Sequence, residues 1–471
     1  MLPMFMAMVD QTIIAAALPA IGADLGSVDR LTWVVVGYLV AATVAAPVYG
    51  RLGDVFGRRR LLFVALCLAV PGSLLCAVAT SVEALAAARM LQGLGGGGLM
   101  TLAQALIGET IPPRERARYQ GYLAGVAVVS STFGPVVGGL LTEWLGWRSV
   151  FLFNLPVGLL AAGLALRLPG RAGSGGPFRF DVPGLLLFAV FISSVLATLQ
   201  LVQRVDAALL RSIGALALLA IVACALLVWR EKRAPHPLLP LGVLGNPSIW
   251  RSDALAAMHG AMLVSLMTFA PIYYRVVHGS PASEIGLLVL PMTAGIGIGA
   301  MATGRTISRT GYTAIFPAWG LMLVVLILAG LAFNSDRLPA LAMSVGLGVA
   351  ALFMGTVMTV VQVTVQSAAG QAMLGSAAAS VQFSRSLGAA LGTATVGAVL
   401  FASIVGPEMS AAEVLSLTLQ ASPEAWADGS PERLAAARQA VAAGFRFAFL
   451  TVACFGLVGI ALAWTIPLRR I

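Results

Sequence analysis

Two ionisable residues lie within long apolar segments, and they are the best candidates for chemistry. Asp10 lies in the apolar segment 3–22 and Arg89 in the segment 84–108. A charge in an apolar medium is costly unless it is neutralised or paired, so Asp10 should be either a neutral acid or part of an ion pair. An acid that alternates between these states can bind and release a proton. We predict that Asp10 and Arg89 lie at similar depth and couple the protein to protons; the alternative is a static, structural ion pair.

A second group of candidates is the run Gly50-Arg51-Leu52-Gly53-Asp54-Val55-Phe56-Gly57-Arg58-Arg59-Arg60. Its glycines permit a tight turn between two apolar segments. Asp54 is predicted to lie near the start of the third helix, where the helix dipole and nearby arginines stabilise a carboxylate. Such a group could act as a latch that breaks and re-forms as two bundles move, and it also serves as a positively charged membrane anchor. The predicted latch residues are Gly50, Arg51, Asp54, Gly57 and Arg58.

The fifth apolar segment contains Gly134, Pro135, Gly138 and Gly139. Proline removes a backbone hydrogen bond, and the spacing Gly-x-x-x-Gly allows another helix to approach closely. These residues predict a kinked, tightly packed hinge, with helix packing alone as the alternative.

Later segments carry polar and aromatic residues on single faces, which predicts the lining of a cavity. The methionine and aromatic face of the ninth segment is typical of packing as well as of a drug pocket. The polar stripe of the twelfth segment should face the interior, and Arg385 within the thirteenth requires a partner. The predicted cavity residues are Tyr38, Gln104, His259, Met262, Phe269, Thr359, Gln362, Gln366 and Arg385.

The composition shows what kind of structure must position these residues. Of 471 residues, 59% are hydrophobic and 10% are charged, and the mean hydropathy is +0.94. Soluble domains carry about 25% charged residues, so a soluble protein is excluded. The apolar composition excludes a disordered chain, and four cysteines are too few for a disulfide scaffold of this length. We predict an all-α polytopic membrane protein, because the apolar runs do not alternate as the strands of a membrane barrel do.

Fourteen apolar segments are long enough to cross a bilayer, at about 20 residues each. They are predicted at 3–22, 32–50, 61–80, 84–108, 119–141, 148–166, 182–203, 209–229, 251–274, 284–304, 313–333, 339–365, 375–403 and 443–466. If both termini are cytoplasmic, the loops on that side hold 17 of the 29 basic residues and the opposite loops hold eight. This distribution follows the positive-inside rule and explains the net charge of +10 without a nucleic-acid partner.

An internal repeat divides the chain. Gly50-Arg51 and Gly57 recur as Gly304-Arg305 and Gly311 at an offset of 254 residues, and the same offset relates Gly134 and Gly138 to Gly388 and Gly392. The repeat predicts a six-helix bundle at 1–166, a linker with two inserted helices at 167–250, and a second six-helix bundle at 251–471. The second bundle includes a long outer loop at 404–442, to which we assign no function.

Four of these motifs together resemble the major facilitator superfamily, in particular its 14-span drug:proton antiporters. Gly50–Arg60 matches the signature loop, Arg89–Gly98 resembles the fourth-helix motif, and Gly134–Gly139 resembles the fifth-helix motif associated with antiporters. The run from Asp10-Gln11-Thr12-Ile13 to Pro19 is similar to the first-helix motif of the 14-span branch. The resemblance implies a major facilitator fold with Asp10 and Arg89 in proton coupling, Asp54 in the latch and the fifth-helix glycines as the hinge. Ser308 departs from the pattern, because it stands where Asp54 would recur in the second half.

These features predict a proton-driven exporter of drugs or other amphiphilic small molecules in a bacterial cytoplasmic membrane. Asp10 favours cationic substrates only weakly, and either Asp10 or Asp253 could be the acid that titrates. The alternatives are a dedicated exporter of one metabolite, amino acid, siderophore or lipid, an importer, or a membrane sensor. No enzymatic motif, nucleotide-binding loop, cofactor site or metal spacing is present in the sequence. The expected partners are the substrate, protons and the lipid bilayer, and the expected state is a monomer.

Overall fold

The structure is a computed structural model, and it describes residues 1–26, 31–168, 180–202, 210–235, 237–238, 244–404 and 431–470. These residues are almost entirely helical. The helices are α1 (Leu2–Leu25), α2 (Thr32–Phe56), α3 (Arg58–Ala77), α4 (Val82–Thr110), α5 (Pro113–Leu145), α6 (Arg148–Leu152), α7 (Asn154–Ala165), α8 (Val182–Val202), α9 (Leu210–Glu231), α10 (Pro247–Val276), α11 (Ala282–Thr310), α12 (Ile315–Phe333), α13 (Ala340–Ala369), α14 (Leu374–Ser403) and α15 (Pro431–Thr465).

Twelve helical segments within the described residues are long and apolar enough to cross a membrane, and α6 and α7 together form one of them. The other two predicted segments correspond to α4 and α8. Glycines and glutamines lower the mean hydropathy of α4, which packs between α2 and α3. Helix α8 is counted only over Val182–Thr198, because the search covers the described residues alone. An all-helical membrane fold is therefore established, and fourteen crossings stay a prediction.

The helices pack in two sets with matching internal pairs. In the first set α1 packs on α5 and α2 packs on α4; in the second set α10 packs on α14 and α11 packs on α13. The repeated glycines lie at equivalent contacts, because Gly138 adjoins Ile13 of α1 and Gly392 adjoins Ala261 of α10. Helices α8 and α9 pack on each other, and α8 contacts α2 and α14.

One end of the helix sets carries Met1, Gly57, Gly311 and Arg470, and we call it the termini face. Thr313, just after Gly311, donates to the carbonyl of Leu468 at 3.0 Å, which ties the C-terminus to this end. Gly57 and Gly311 end α2 and α11 with φ of 95° and 75°, a region that glycine adopts without strain. The arginine distribution predicts that this face is cytoplasmic.

Two predicted boundaries are wrong. The run Gly50–Arg60 is not a loop, because α2 continues to Phe56 and α3 begins at Arg58, with Gly57 alone at the turn. Charged residues can continue a helix beyond its apolar part, so hydropathy placed both boundaries too early. The outer loop predicted at 404–442 is also too long, because α15 begins at Pro431; residues 405–430 lie outside the described part of the chain.

The fifth-helix glycines differ in what they contact. Gly134 and Gly138 lie against Thr12 and Ile13 of α1, so that a side chain at either position would collide with that helix. Thr12 Oγ1 also donates to the carbonyl of Ser130 at 3.0 Å, joining the two helices. Gly139 faces open space and takes no part in this contact, contrary to the prediction for the whole motif.

We predict that Gly138→Val destabilises the protein by about 1 to 3 kcal/mol, because the added side chain must push α1 away. Gly139→Val is the matched control, since it makes the same change in the same helix where space is open. The midpoint of thermal unfolding in detergent, followed by tryptophan fluorescence, measures both effects. Equal midpoints for the two variants would contradict the close contact between α1 and α5.

Candidate functional site

The structure brings Asp10 and Arg89 together inside the first helix set. Arg89 Nη1 donates to Asp10 Oδ2 at 2.6 Å, and both residues are buried. The other carboxyl oxygen of Asp10 accepts bonds from Gln92 Nε2 at 2.8 Å and Asn154 Nδ2 at 2.6 Å. The carboxylate therefore accepts three hydrogen bonds, one of them from a charged donor.

Arg89 is held from several sides. It donates to Gln92 Oε1 at 2.6 Å and to the carbonyl of Val34 at 3.3 Å, and its guanidinium lies 4.2 Å from the ring centre of Tyr38. Tyr38 therefore packs on Arg89 inside the helix set, and its prediction as a cavity residue is wrong. The ring face of tyrosine attracts a cation, which explains this position.

Sequence reasoning missed three members of this cluster: Gln92, Asn154 and Ser73. The hydroxyl of Ser73 accepts bonds from Gln92 Nε2 at 2.7 Å and from Asn154 Nδ2 at 3.3 Å. Each of the three is a polar residue within an apolar segment, which is the signal that could have identified them. We call these residues, together with Asp10 and Arg89, the buried polar cluster.

Asp54 joins the two helix sets at the termini face. Its Oδ1 accepts a bond from the backbone N–H of Gly375 at 2.8 Å, and its Oδ2 accepts bonds from the N–H and hydroxyl of Ser376 at 2.9 and 3.0 Å. Asp54 thus caps the first turn of α14, whose N–H groups have no partner within the helix. Asp54 lies at the start of a helix as predicted, but that helix is α14 and not α3.

Arg58 completes this contact. Its Nη2 donates to Asp54 Oδ1 at 2.6 Å and to the carbonyl of Gln371 at 3.1 Å, while Nη1 donates to Glu109 Oε2 at 2.9 Å. One guanidinium therefore bonds to both helix sets. We call Asp54, Arg58, Gly375 and Ser376 the latch.

The other predicted latch residues play different parts. Gly50 allows α2 to approach α14, since a Cβ atom there would lie 2.6 Å from the carbonyl oxygen of Gly375. Gly57 provides the turn after α2. Arg51 Nε is buried without a hydrogen-bond partner, so this atom does not contribute to the latch.

A cavity of about 130 Å³ lies between the two helix sets, next to a second of about 70 Å³ that shares Gln382 and Arg385 with it. Five predicted residues line the larger cavity: Gln104, His259, Thr359, Gln362 and Arg385. Residues that sequence reasoning missed also line it, and they include Met4, Met8, Gln120 and Gln382. Met4 and Met8 come from α1, the helix that carries Asp10.

Three further cavity predictions are wrong in position. Met262 is fully buried and adjoins Gly456 of α15, and Phe269 lies against Gly397 of α14. Gln366 lies one helical turn beyond Gln362 and does not line the cavity; its Nε2 donates to the carbonyl of Gln104 at 3.2 Å. A helical face with mixed contacts cannot be assigned from spacing alone, because several neighbouring helices share it.

The cavity is closed towards the termini face. Gln362 Nε2 donates to Gln104 Oε1 across the helix sets, and Gln366 adds the bond just described. Gly304 of α11 lies against Ala117 of α5, and the latch closes the outermost layer. The structure therefore represents a state that is shut on the side predicted to be cytoplasmic.

Asp253 of α10 has a different environment from Asp10. It is buried, and neither of its carboxyl oxygens has a hydrogen-bond partner. Ser380 of α14 faces it, and the hydroxyl of that serine donates to the carbonyl of Ala377 at 3.0 Å. Asp253 is therefore a second buried acid, and among the described residues no arginine forms an ion pair with it.

We predict that Asp54→Asn opens the termini face, because it removes the charge that binds Arg58 and the start of α14. Charge-assisted bonds are worth about 1.5 to 3 kcal/mol, so the population of the open state should rise roughly tenfold or more. Spin labels at Thr110 and Thr306, exposed positions near that face on α4 and α11, report the change as an added longer distance in electron paramagnetic resonance.

Asp336→Asn is the matched control, because Asp336 is an exposed acid between α12 and α13. An unchanged distance distribution in Asp54→Asn would contradict the latch.

Comparisons with known proteins agree with this architecture. The sequence model of the Major Facilitator Superfamily matches residues 1–393. The human organic anion transporter MFSD10 has a TM-score of 0.66 at 14% identity, over 98% of this chain and 97% of that chain. At this identity the likeness is one of fold.

Curated relatives are closer in sequence. An uncharacterised MFS-type transporter of Mycobacterium tuberculosis is 36% identical over 390 residues, which cover 83% of this chain and 57% of that protein's length. The multidrug transporter protein MdtP of Bacillus subtilis is 30% identical over 403 residues, 84% of this chain and 73% of MdtP. The tetracenomycin C resistance and export protein of Streptomyces glaucescens is 33% identical over 413 residues, 85% of this chain and 74% of that protein. The chain belongs to the Major Facilitator Superfamily, a family of membrane transporters and not of enzymes.

Proposed function

We propose that this protein is a proton-driven exporter of amphiphilic small molecules across a bacterial cytoplasmic membrane, with both termini in the cytoplasm. The observation that carries the proposal is the ion pair of Asp10 and Arg89, buried in a membrane helix set beside a cavity. An ionisable pair at such a depth is expensive, so a functional role is the default hypothesis.

Helix α1 provides the physical connection between protons and substrate. Along this one helix, Met4 and Met8 line the cavity, Asp10 enters the buried polar cluster, and Thr12 binds α5 through the carbonyl of Ser130. Protonation of Asp10 would remove the charge that holds Arg89, and the bonds that fix α1 would weaken together. A shift of α1 would then change both the cavity wall and the contact with Gly134 and Gly138, which we propose as the hinge.

Alternating access requires that the closed face can open. The latch joins the two helix sets through the hydrogen bonds that Asp54 accepts from Gly375 and Ser376, and the ion pair with Arg58 holds this carboxylate from within the first set. We propose that the rocking units are 1–166 and 251–471, with 167–250 as an insertion. Inward flow of protons would then drive export.

The relatives support a small-molecule substrate and outward transport. MdtP is named a multidrug transporter, and the protein from Streptomyces glaucescens is named for resistance to and export of tetracenomycin C. A dedicated exporter of one compound is the second candidate, because the cavity is small and contains specific polar groups.

We predict that Asp10→Asn lowers gradient-driven efflux by at least tenfold and abolishes its dependence on the proton gradient. Proteoliposomes with an imposed pH gradient measure this, with dansyl probes of either charge as cargo. Exchange of probe without a gradient should persist, since the substitution replaces no residue that lines the cavity. Asp24→Asn is the matched control. Asp24 lies near the exposed C-terminal end of the same helix, where its carboxylate accepts bonds from Trp147 and Arg148.

Asp253→Asn provides the comparison between the two acids. Normal coupling in Asp10→Asn together with its loss in Asp253→Asn would transfer the coupling role to Asp253, and the buried polar cluster would then be structural. Loss of coupling in Asp10→Asn alone supports the assignment proposed above.

A further inference from the structure

We propose that the substrate carries an anionic group, such as a carboxylate or sulfonate, which binds the guanidinium of Arg385 in the cavity. This inference rests on the proposed export function and specifies its substrate class. It replaces the weak preference for cations that the sequence suggested.

The first observation is the sign of the charge in the cavity. Among the described residues, no aspartate or glutamate lines either of the two cavities, and Arg385 is the single arginine that lines both. Asp10, which favoured a cation at the sequence level, lies within the buried polar cluster and binds Arg89. A cationic substrate in this cavity would therefore face Arg385 without a compensating carboxylate.

The second observation is that Arg385 has no counter-ion. Within the described part of the chain, Arg89 and Arg58 each bind a carboxylate at 2.6 Å, whereas no carboxylate lies within ion-pair distance of Arg385. An uncompensated cation inside a membrane protein is costly. An anionic ligand that enters the cavity removes this cost, and this provides both affinity and selection for the sign of the charge.

The third observation is the chemistry around Arg385. His259 is buried beside it, lines the same cavity, and its Nδ1 has no hydrogen-bond partner. The lining of the same cavity also includes the apolar residues Met4, Met8, Leu123 and Met358. The cavity thus matches an amphiphile with one anionic end and an apolar body.

The proposed charge has a measurable consequence for the driving force. If one proton enters for each anion that leaves, two charges move in the same electrical direction, so an inside-negative membrane potential accelerates export. If one proton enters for each cation that leaves, the exchange is electroneutral and insensitive to potential.

The test compares two probes with the same fluorophore and opposite charge: N-dansylglycine and dansylaminoethyl-trimethylammonium. In proteoliposomes with a pH gradient, the wild type should export dansylglycine, and an inside-negative potential set with valinomycin should increase the rate. Arg385→Gln should reduce dansylglycine export at least tenfold. Arg385→Lys should retain an intermediate rate, because it keeps the charge but loses the two-pronged geometry of arginine. Arg309→Gln, which removes an exposed charge near the end of α11, should match the wild type.

The inference is overturned if the wild type exports only the cationic probe, or if Arg385→Gln exports dansylglycine at the wild-type rate. Because Arg385→Gln could fold poorly, its thermal unfolding is measured alongside, and the wild-type preference between the two probes tests the inference without any variant.

Binding in detergent separates this inference from the proposed function. Dansylglycine fluorescence that rises with wild type and not with Arg385→Gln supports the anion site even if no gradient-driven transport occurs. Gradient-driven export of the cation alone would instead support the exporter and overturn the anion site. Displacement of dansylglycine by chloride at the same concentrations as by acetate would assign Arg385 to an inorganic anion and overturn the substrate assignment.

Discussion

The structure depends above all on the cost of a polar or charged group in an apolar surrounding. This cost explains why Asp10 and Arg89 are found together with Gln92, Asn154 and Ser73: the carboxylate accepts bonds from Arg89, Gln92 and Asn154, and the last two also donate to Ser73. The cluster joins helices α1, α3, α4 and α7 at one point. A change of charge at Asp10 would therefore affect the positions of several helices.

Close helix packing is the second element, and it depends on small residues. Gly134 and Gly138 admit α1 against α5, and Gly388 and Gly392 admit α10 against α14 in the equivalent pair. In lipid, helices gain little from apolar burial, so close van der Waals contact provides much of their association. Close packing of this kind also occurs between the two helix sets, because Gly304 of α11 lies against Ala117 of α5 and Gly50 of α2 lies against Gly375 of α14.

The contrast between Arg89 and Arg385 connects structure and proposed transport. Arg89 is compensated within the protein and serves the helix set in which it lies. Arg385 is not compensated by any carboxylate of the described residues and lines the cavity between the sets. The first arginine is suited to hold an internal acid, and the second is suited to bind an anion from outside the protein.

The sequence by itself determined the membrane class, the helical architecture and the internal repeat, because hydropathy and glycine spacing are local and repeat along the chain. It also identified Asp10, Arg89, Asp54 and Arg58, because charges in or beside apolar segments stand out. The tertiary structure decided which groups meet. Asp54 caps α14, 320 positions further along the chain, and Tyr38 packs on Arg89 instead of lining the cavity. Met262 is buried away from the cavity, whereas Arg385 lines it. Each helix contacts several neighbours, and the periodicity of the sequence does not show which neighbour each face contacts.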